Sequence, residues 1–389
     1  MIEKLLTVDK KGLIDFTQQI IRIPSTSLQE EKVALVVAEK MRQVGFEDVT
    51  VDPVFNVVGY LRGEENDPEL LFNGHIDTVP PGEMPNAYSG EIVDGSKYGF
   101  SGPVIEGRGA CDMKGAVASM IYAGKAIRES GLRLKKTFVM TATTREEPAL
   151  GEGIRYIFEE EGVRAKMAVS GEATNLQTHL GHRGKLELNV RVLGKTAHAS
   201  NPGRGINAVY KMSELIQDLI ENYKVPSHPV LGDCTFTIID IAAGPGRLGP
   251  VTPDWCEIII DRRYLPEESA ASVQREIESF IARRKDQDPD LRVTVELVKD
   301  FVPFYCREDE PIVPIIRESR QAVLGDTGEL SVWKFGIEGV FMKQVGIACA
   351  GFGPGSEEFA HTPEEHIPVK DLHISCQVYA EIIRRACGS

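Results

Sequence analysis

The chain has 389 residues, of which 42% are hydrophobic and 26% are charged. This composition is ordinary for a soluble globular protein, and the length is sufficient for two domains. The 44 basic and 58 acidic residues give a formal net charge of −14. Such a charge disfavours nucleic acid and anionic membranes as partners, so we expect a small-molecule partner.

The composition and the amino-terminal sequence favour a cytoplasmic protein. The segment "MIEKLLTVDKKGLIDF" lacks the basic-then-apolar order of a signal peptide. There is no apolar run of about 18 residues that would predict a membrane span. The seven cysteines are scattered and have no C-x-x-C spacing, which is typical of reduced thiols rather than of a disulfide framework.

The first 178 residues alternate between helical and strand patterns. Val33, Val37 and Met41 fall on one helical stripe, and Gly45 stands where a helix is expected to end. Near-continuous apolar strands are predicted at "ELLFNGH", "KTFVMTATT" and "AKMAVSGE", with helices at "DMKGAVASMIYAGKAIRESG" and "EGIRYIFEEEG" between them. This alternation predicts an α/β fold with a doubly wound, mixed or mostly parallel sheet.

The pattern changes between residues 179 and 299. "KLELNVRVLG" alternates cleanly, and the elements that follow predict the order β-α-β-β-α-β of a ferredoxin-like α+β sandwich. After about residue 300 the α/β pattern resumes with "PIVPIIRESRQAVLG" and "IACAGFG". We therefore expect a catalytic domain of residues 1–178 and 300–389, interrupted by an inserted domain of residues 179–299.

The segment "LLFNGHIDTVPPGE" places His75 and Asp77 two positions apart at the end of a predicted buried strand. Side chains at i and i+2 of an extended chain leave from the same face, so these two groups can reach one point or each other. An isolated His-x-Asp is more often a turn with a satisfied histidine. The interpretation therefore depends on the other motifs.

Further acidic and imidazole groups also stand at strand ends or in glycine-rich loops. Each has an ordinary explanation, such as a helix-capping aspartate or a solvated acidic pair. Open α/β sheets, however, bind ligands beyond the carboxyl ends of their strands. Two imidazoles and several carboxylates at that edge predict a pair of divalent cations of the Zn, Co or Mn type. With His75, the groups are Asp112, Glu146, Glu147, Glu172 and His361.

An ordered series of motifs resembles those of the dinuclear zinc amidohydrolases, the group of acetylornithine deacetylase, succinyl-diaminopimelate desuccinylase, aminoacylase and glutamate carboxypeptidase. The motifs are "GHIDTVPPGE", "GRGACDMKGAVA", "TREEPALGEG", "SGEATN", "GKTAHASNPGRGINAV", "DRRYLPEE" and "GFGPGSEEFAHTPEEHI". The resemblance covers nearly the whole chain, from about residue 10 to about residue 385. The resemblance implies a catalytic domain with an inserted domain that serves as lid and dimerisation unit.

The resemblance implies a role for each candidate ligand. Asp112 would bridge two metal ions, most simply Zn²⁺ with Co²⁺ or Mn²⁺ as alternatives. His75 and Glu172 would hold one ion, and Glu147 and His361 would hold the other. Asp77 would accept a hydrogen bond from His75 and fix its tautomer. A cis peptide bond between Asp112 and Met113 is also implied.

The resemblance also implies the catalytic and substrate-binding groups. Glu146 would be the general base that activates a metal-bridging water. His198 would stabilise the oxyanion, often across a homodimer, and Arg263 would bind a substrate carboxylate. Arg262, its neighbour, is the alternative to Arg263. Many relatives have an asparagine in the lid where this chain has Gly249 and Pro250, so that polar contact to substrate is expected to be absent or replaced.

These observations predict a hydrolase that cleaves an amide bond in a small N-acyl amino acid or a related compound with a free carboxylate. A dipeptidase or carboxypeptidase of the same family is the first alternative. A non-catalytic metal-binding or ligand-binding protein is an alternative of another class. The presence of both Glu146 and His198 argues against that alternative, since a binding protein needs neither a base nor an oxyanion donor.

Overall fold

The computed structural model describes residues 5–244 and 249–388. The chain divides into two compact units. Unit 1 comprises Met1–Gly181, Cys306–Trp333 and Ile337–Ser389, and unit 2 comprises His182–Tyr305 and Lys334–Gly336. The chain therefore leaves unit 1 twice, once for a long segment and once for three residues.

The amino-terminal part of unit 1 begins with two helices and then alternates strands with helices. α1 begins after Asp9, whose side chain accepts a hydrogen bond from the backbone N–H of Gly12 and so caps the helix. In chain order the elements are α1 (Lys10–Ile21), α2 (Glu31–Gln43), β1 (Glu47–Val51), β2 (Val57–Leu61), β3 (Glu65–His75), β4 (Ile92–Asp94), β5 (Pro103–Glu106), α3 (Gly115–Ser130), β6 (Lys136–Thr143), α4 (Glu152–Glu159), β7 (Met167–Ser170) and β8 (Thr178–His182).

Unit 2 follows, and the chain then returns to unit 1. The elements of unit 2 are β9 (Gly184–Leu193), α5 (Ala208–Asn222), β10 (Ser227–His228), β11 (Gly232–Asp233), β12 (Phe236–Gly244), β13 (Trp255–Tyr264), α6 (Ala270–Gln287), β14 (Arg292–Phe301) and β15 (Phe304–Tyr305). Unit 1 is completed by α7 (Ile312–Leu324), β16 (Leu330–Trp333), α8 (Gly339–Gln344), β17 (Ala348–Gly351), β18 (His366–Pro368) and α9 (Val369–Cys387).

The main sheet of unit 1 is mixed. Its strand order includes β1-β2-β6-β3-β7-β17-β8, and β16 pairs with β8. The central neighbours β6, β3, β7 and β17 are parallel, whereas β1, β2 and β8 pair antiparallel. The residues of β6 and β7 are almost all buried, as expected for strands in the interior of an α/β domain. The expected α/β class is confirmed as a mixed α/β fold.

Unit 1 also contains a small antiparallel sheet of order β18-β5-β4. In it His366 pairs with Glu106 and Ile367 pairs with Ile105. The pairing brings the segment that precedes β18 next to the segment that follows β5. These two segments carry His361 and Asp112, which are far apart in the sequence.

Unit 2 has the element order β9-α5-β12-β13-α6-β14, with the short strands β10 and β11 between α5 and β12. Its sheet has the antiparallel order β12-β13-β9-β14, the arrangement of a ferredoxin-like sandwich. Buried and half-buried residues alternate along β9 and β13, so one face of the sheet forms the core with α5 and α6. Core residues include Leu188, Val190, Ile258, Leu215 and Ile277.

Among the residues described, no helix is both long enough and apolar enough to span a lipid bilayer.

Candidate metal and catalytic site

Three neighbouring parallel strands bring most of the candidate ligands to one edge of the main sheet. His75 is the last residue of β3. Glu146 and Glu147 lie in the turn after β6, and Glu172 follows β7. Because β6, β3 and β7 are adjacent and parallel, their carboxyl ends meet at the same edge.

The small sheet supplies the remaining two ligands. Asp112 lies between β5 and α3, and His361 lies between β17 and β18. The peptide bond between Asp112 and Met113 is cis, as the family resemblance implied.

Asp112 lies at the centre of the cluster. Its Oδ1 is 2.9 Å from Nε2 of His75, and its Oδ2 is 3.1 Å from Nε2 of His361. Glu172 lies beyond His75, with Oε1 3.6 Å from Nε2. Glu147 lies beyond His361, with Oε2 2.9 Å from Nε2. The five side chains thus form a continuous row in which the two Asp112 oxygens face different imidazoles, an arrangement suited to a carboxylate shared by two cations.

The ligand atoms are close enough to share an ion. Atoms of His75, Asp112 and Glu147 all lie within 4.8 Å of one another. One oxygen of Glu172, Oε2, is buried and has no hydrogen-bond partner. Imidazole and carboxylate donors at such spacing fit Zn²⁺ and related divalent cations. The residues therefore fit the metal pair that the motifs implied.

The carboxyl groups of the cluster outnumber its imidazoles, and this imbalance shifts several of their pKa values. Burial raises the pKa of Glu172 well above its usual range, and the nearby Asp112 carboxylate raises it further. Hydrogen bonds to Asp112 and Glu147 raise the pKa of His361 to about 10. Burial opposes ionisation of Asp112, but its hydrogen bonds with His361 and His75 outweigh burial and lower its pKa. Divalent cations would relieve this repulsion among the carboxylates.

Asp77 faces Nδ1 of His75 with both its backbone carbonyl and its carboxylate. Nδ1 of His75 lies 2.9 Å from the backbone carbonyl of Asp77 and 3.5 Å from its carboxylate. The carboxylate accepts hydrogen bonds from the hydroxyl of Ser27 and from the backbone N–H groups of Glu146 and Glu147. Asp77 thus fixes the His75 ring through its main chain, and its side chain anchors the turn after β6.

Glu146 lies beside the ligand row on that anchored turn. Burial raises the pKa of its carboxyl group well above the usual range, and the carboxylates of Glu172 and Glu147 raise it further, against the lowering effect of His75. Its neighbour Glu147 is turned toward His361, and one Glu147 oxygen accepts the backbone N–H of Val79. The adjacent glutamates are therefore in different environments.

Glu338 is a buried carboxyl group near the site to which the sequence analysis gave no role. Its Oε2 accepts hydrogen bonds from Nδ2 of Asn73 at 2.7 Å and from Oγ1 of Thr143 at 2.5 Å. Burial raises its pKa to about 7. The sequence gives one indication of such a role, since Glu338 is the lone acidic residue in the apolar stretch "FGIEGVFM".

Unit 2 carries His198 on the exposed loop after β9. Its Nδ1 accepts a hydrogen bond from the backbone N–H of Ser200 at 3.2 Å and lies 2.7 Å from the Ser200 hydroxyl. An Nδ1 that accepts leaves the ring hydrogen on Nε2. The ring can therefore donate a hydrogen bond through Nε2.

The segment that contains Gly249 and Pro250 lies against the His198 loop. The carbonyl of Pro250 accepts the N–H of Ala199 at 2.7 Å, and His198 pairs with Val251 in an isolated bridge. Pro250 and Val251 therefore contribute main-chain contacts to this loop.

The two arginines at 262 and 263 on β13 have different surroundings. Arg262 is fully buried and donates hydrogen bonds to Tyr223 and Glu268. Arg263 is half-buried, and its Nε donates to Asp261 at 2.9 Å. Of these two arginines, only Arg263 has a guanidinium group that is accessible to a ligand.

A mixed α/β sheet whose parallel strands end in a row of imidazoles and carboxylates is an arrangement that suits a metal-dependent hydrolase. The chain belongs to peptidase family M20/M25/M40, whose family model matches residues 71–385. The family recognition made from the motifs is confirmed, and the protein is a hydrolase that acts on amide or peptide bonds.

The chain is similar over nearly its whole length to several proteins. It is 33% identical to "Uncharacterized protein YgeY" of Escherichia coli strain K12, over 94% of this chain and 92% of that protein. It is 28% identical to the acetylornithine deacetylase of Photorhabdus laumondii, over 97% of each chain. Its fold matches the Bacillus subtilis YXEP protein, described as a dinuclear metal binding peptidase, with a TM-score of 0.74 and 16% identity over 96% of this chain and 97% of that chain.

Proposed function

We propose that the protein uses two divalent cations to cleave an amide bond in a small N-acyl amino acid or a related compound with a free carboxylate. The observation that supports this proposal best is the placement of Asp112 between His75 and His361, with Glu172 and Glu147 at the two ends of the row. Zn²⁺ fits these nitrogen and oxygen donors, and Co²⁺ and Mn²⁺ are alternatives that metal analysis would distinguish.

When bound, the cations would supply Lewis acidity that lowers the pKa of water and polarises the scissile carbonyl. Glu146 then accepts the proton of the attacking water and delivers it to the leaving nitrogen. Asp77 holds the Glu146 backbone in place during both transfers.

Unit 2 would act as the lid and dimerisation domain, and would supply two further groups. Nε2 of His198 donates a hydrogen bond to the oxyanion of the tetrahedral intermediate. The guanidinium of Arg263 binds the substrate carboxylate, for which its planar pair of donors is suited. The apolar side chains of Ile239 and Ile241, exposed by 52% and 58% on the edge strand β12, support a homodimer contact through this unit.

A dipeptidase or carboxypeptidase activity is the second candidate. It is favoured by the fold that the chain shares with a dinuclear metal binding peptidase. The relative named acetylornithine deacetylase favours a deacylase. Analysis of the products from matched N-acetyl amino acids and dipeptides distinguishes the two activities.

A reducing compartment suits the thiols of this protein, and we propose a cytoplasmic location. All seven cysteines lie within the described residues, where each is free and buried. Fractionation of the source cells with antibody detection tests this location.

The replacement Glu146→Gln tests the catalytic assignment. We expect turnover to fall by about 10²- to 10⁴-fold, because the amide cannot accept the proton. The content of bound metal, measured by mass spectrometry of the purified protein, should stay at the wild-type value. Glu159→Gln, on the exposed face of α4, is the matched control and should keep full activity. Wild-type turnover in Glu146→Gln would remove the base assignment.

A further inference from the structure

A buried ion pair outside the ligand row connects the two segments that carry Asp112 and His361. Nη1 of Arg108 lies 2.5 Å from Oε2 of Glu365. The exposed fractions of the two side chains are 3% and 0%. Burying two charged groups is costly unless their geometry and hydrogen bonds offset the loss of solvation, so the contacts of this pair indicate what it does.

The second oxygen of Glu365 binds the main chain of the Asp112 segment. Its Oε1 accepts the backbone N–H of Asp112 at 3.2 Å and that of Cys111 at 3.3 Å. Both oxygens of Glu365 are therefore engaged, one by Arg108 and one by the two N–H groups. The carboxylate is thus committed to holding the main chain beside Asp112 and is not one of the metal ligands.

Glu365 also belongs to the His361 segment, since it follows His361 by four positions. Its backbone carbonyl accepts the N–H of Gly107 at 3.2 Å, which fixes this segment to the start of the Asp112 loop. His361 has a φ of 64°, in the left-handed region that only a few per cent of non-glycine residues adopt. A firm anchor near this residue is needed to keep its ring directed at Asp112.

Arg108 extends the same connection to the loop that follows His75. Its Nη2 donates to the carbonyl of Pro81 at 3.3 Å, and its backbone N–H donates to the carbonyl of Ala87 at 2.7 Å. One ion pair therefore joins the loops that follow β3, β5 and β17. Each of these loops adjoins or contains a candidate ligand.

We propose that Arg108 and Glu365 form a positioning pair, which sets the main chain of Asp112 and the His361 segment for two cations before any cation binds. The proposal rests on the proposed function. Glu365 supplies the two hydrogen bonds to the Asp112 segment, and Arg108 supplies the charge that lets a carboxylate stay buried beside the ligands. A ligand that is already in place loses less conformational freedom on binding.

The double replacement of Arg108 and Glu365 by leucine tests whether the pair positions the cation ligands or only stabilises the fold. Apolar residues of similar volume often restore the stability of a protein that has lost a buried ion pair, but leucine cannot accept the N–H groups of Cys111 and Asp112. We expect a moderate fall in the urea midpoint of the metal-free protein, because the leucines remove the cost of burying two charges but leave the two N–H groups without an acceptor. The affinity for Zn²⁺, titrated calorimetrically into the metal-free protein, should fall by about 10- to 100-fold.

Two conservative variants and a control complete the experiment. Glu365→Gln keeps one acceptor and should lose less Zn²⁺ affinity than the double variant, and Arg108→Lys keeps the charge and should lose the least. The absorption spectrum of the Co²⁺-loaded protein should change in the double variant because the ligand geometry changes. Glu318→Gln removes the partner of Arg385 in a more exposed ion pair and should leave affinity and spectrum unchanged.

The possible results distinguish this proposal from the proposed function. Wild-type Zn²⁺ affinity and an unchanged Co²⁺ spectrum in the double variant would overturn the positioning role alone. A wild-type protein that binds no cation would overturn the proposed function, and the positioning role with it. A loss of stability with unchanged affinity in Glu365→Gln would assign the pair a purely structural role.

Discussion

At the scale of single residues, Arg262 and Arg263 show that neighbours on one strand can differ in burial and in hydrogen-bond partners. Successive side chains of a strand point to opposite faces of the sheet. Arg262 is enclosed by Tyr223 and Glu268, whereas Arg263 is half-buried beside Asp261. Of the two, Arg263 is therefore the one that we propose as the ligand of a substrate carboxylate.

Alanine replacements of the two arginines should therefore have different effects. Arg263→Ala should lower kcat/KM for carboxylate-bearing substrates by about 10²-fold, since a charge-assisted pair is lost. Its free energy of unfolding should change by less than about 0.5 kcal/mol. Arg262→Ala should destabilise the protein by about 2–4 kcal/mol because a buried, hydrogen-bonded group is removed. Steady-state kinetics and urea unfolding measure both effects, and equal kinetic losses in the two variants would contradict the assignment.

His179 is a residue whose burial should affect stability at acidic pH. Its ring packs edge-on against Trp333 with centroids 5.0 Å apart, and its Nδ1 has no hydrogen-bond partner. Burial lowers its pKa to about 4. The unfolded chain binds a proton below the usual histidine pKa of about 6.5, so the stability contributed by neutral His179 is present above that pH and is lost as the pH falls towards 4.

The replacement His179→Phe should remove this pH dependence. Between pH 8 and pH 5 the wild-type protein should lose about 2 kcal/mol more of its free energy of unfolding than the variant does. Urea unfolding at a series of pH values measures the difference, and both proteins share all other titrating groups. Identical pH profiles would show that the pKa of His179 is not lowered in the folded protein.

At the scale of elements, the site depends on how closely the segment after β17 approaches the segment after β7. The backbone N–H of Gly353 donates to Oγ1 of Thr174 at 2.9 Å, and Phe352 donates to the carbonyl of Ser170 at 3.1 Å. A Cβ at Gly353 would lie 2.2 Å from the backbone oxygens of both Gly171 and Glu172. A main chain cannot give way as a flexible side chain can, so only glycine fits here.

Gly353→Ala should therefore displace the segment that carries Glu172. We expect a loss of about 2–4 kcal/mol in the free energy of unfolding, together with weaker binding of one of the two cations. Chemical denaturation and calorimetric titration of Zn²⁺ measure the two effects. Gly203→Ala is the control, because its Cβ would meet no atom within 4 Å, and it should behave as wild type. Wild-type stability in Gly353→Ala would contradict the steric argument.

At the scale of the whole molecule, the proposed homodimer predicts that two inactive variants can complement each other. A heterodimer of Glu146→Gln and His198→Ala chains would have one site with an intact base and a partner that still supplies His198. If His198 acts across the dimer, the purified heterodimer should have about half of wild-type activity, because one of its two sites is complete. Co-expression with two different tags, followed by tandem purification and a turnover assay, measures this recovery. No recovery in a verified heterodimer would place His198 in the same chain as its site.

Several features of the structure could be predicted from local patterns. The apolar stripe of α2 buries Val33, Val37 and Met41, and the predicted buried strand before His75 is β3. Such patterns can be recognised because burial imposes a period on each element separately. The placement of ligands at strand ends follows from the same rule, once the strands are parallel neighbours.

Features that depend on pairing between distant segments could not be predicted in this way. The strand β8 and the small sheet of β18, β5 and β4 were missed, because these short strands have little periodicity of their own. Glu338 reaches Asn73 across 265 positions, and Glu365 reaches Cys111 across 254. The residues around a buried carboxylate in the sequence do not indicate which distant residue it will contact.

The sequence by itself determined the family, the α/β class and the groups that we propose as cation ligands, because each is encoded in the order of residues along a segment. Only the tertiary structure decided that the Asp77 carboxylate holds the Glu146 turn, that Arg262 is enclosed while Arg263 is accessible, and that Arg108 pairs with Glu365. These outcomes depend on distances and burial between segments far apart in the chain, and the cost of burying a charge is set by whichever partner the fold brings to it.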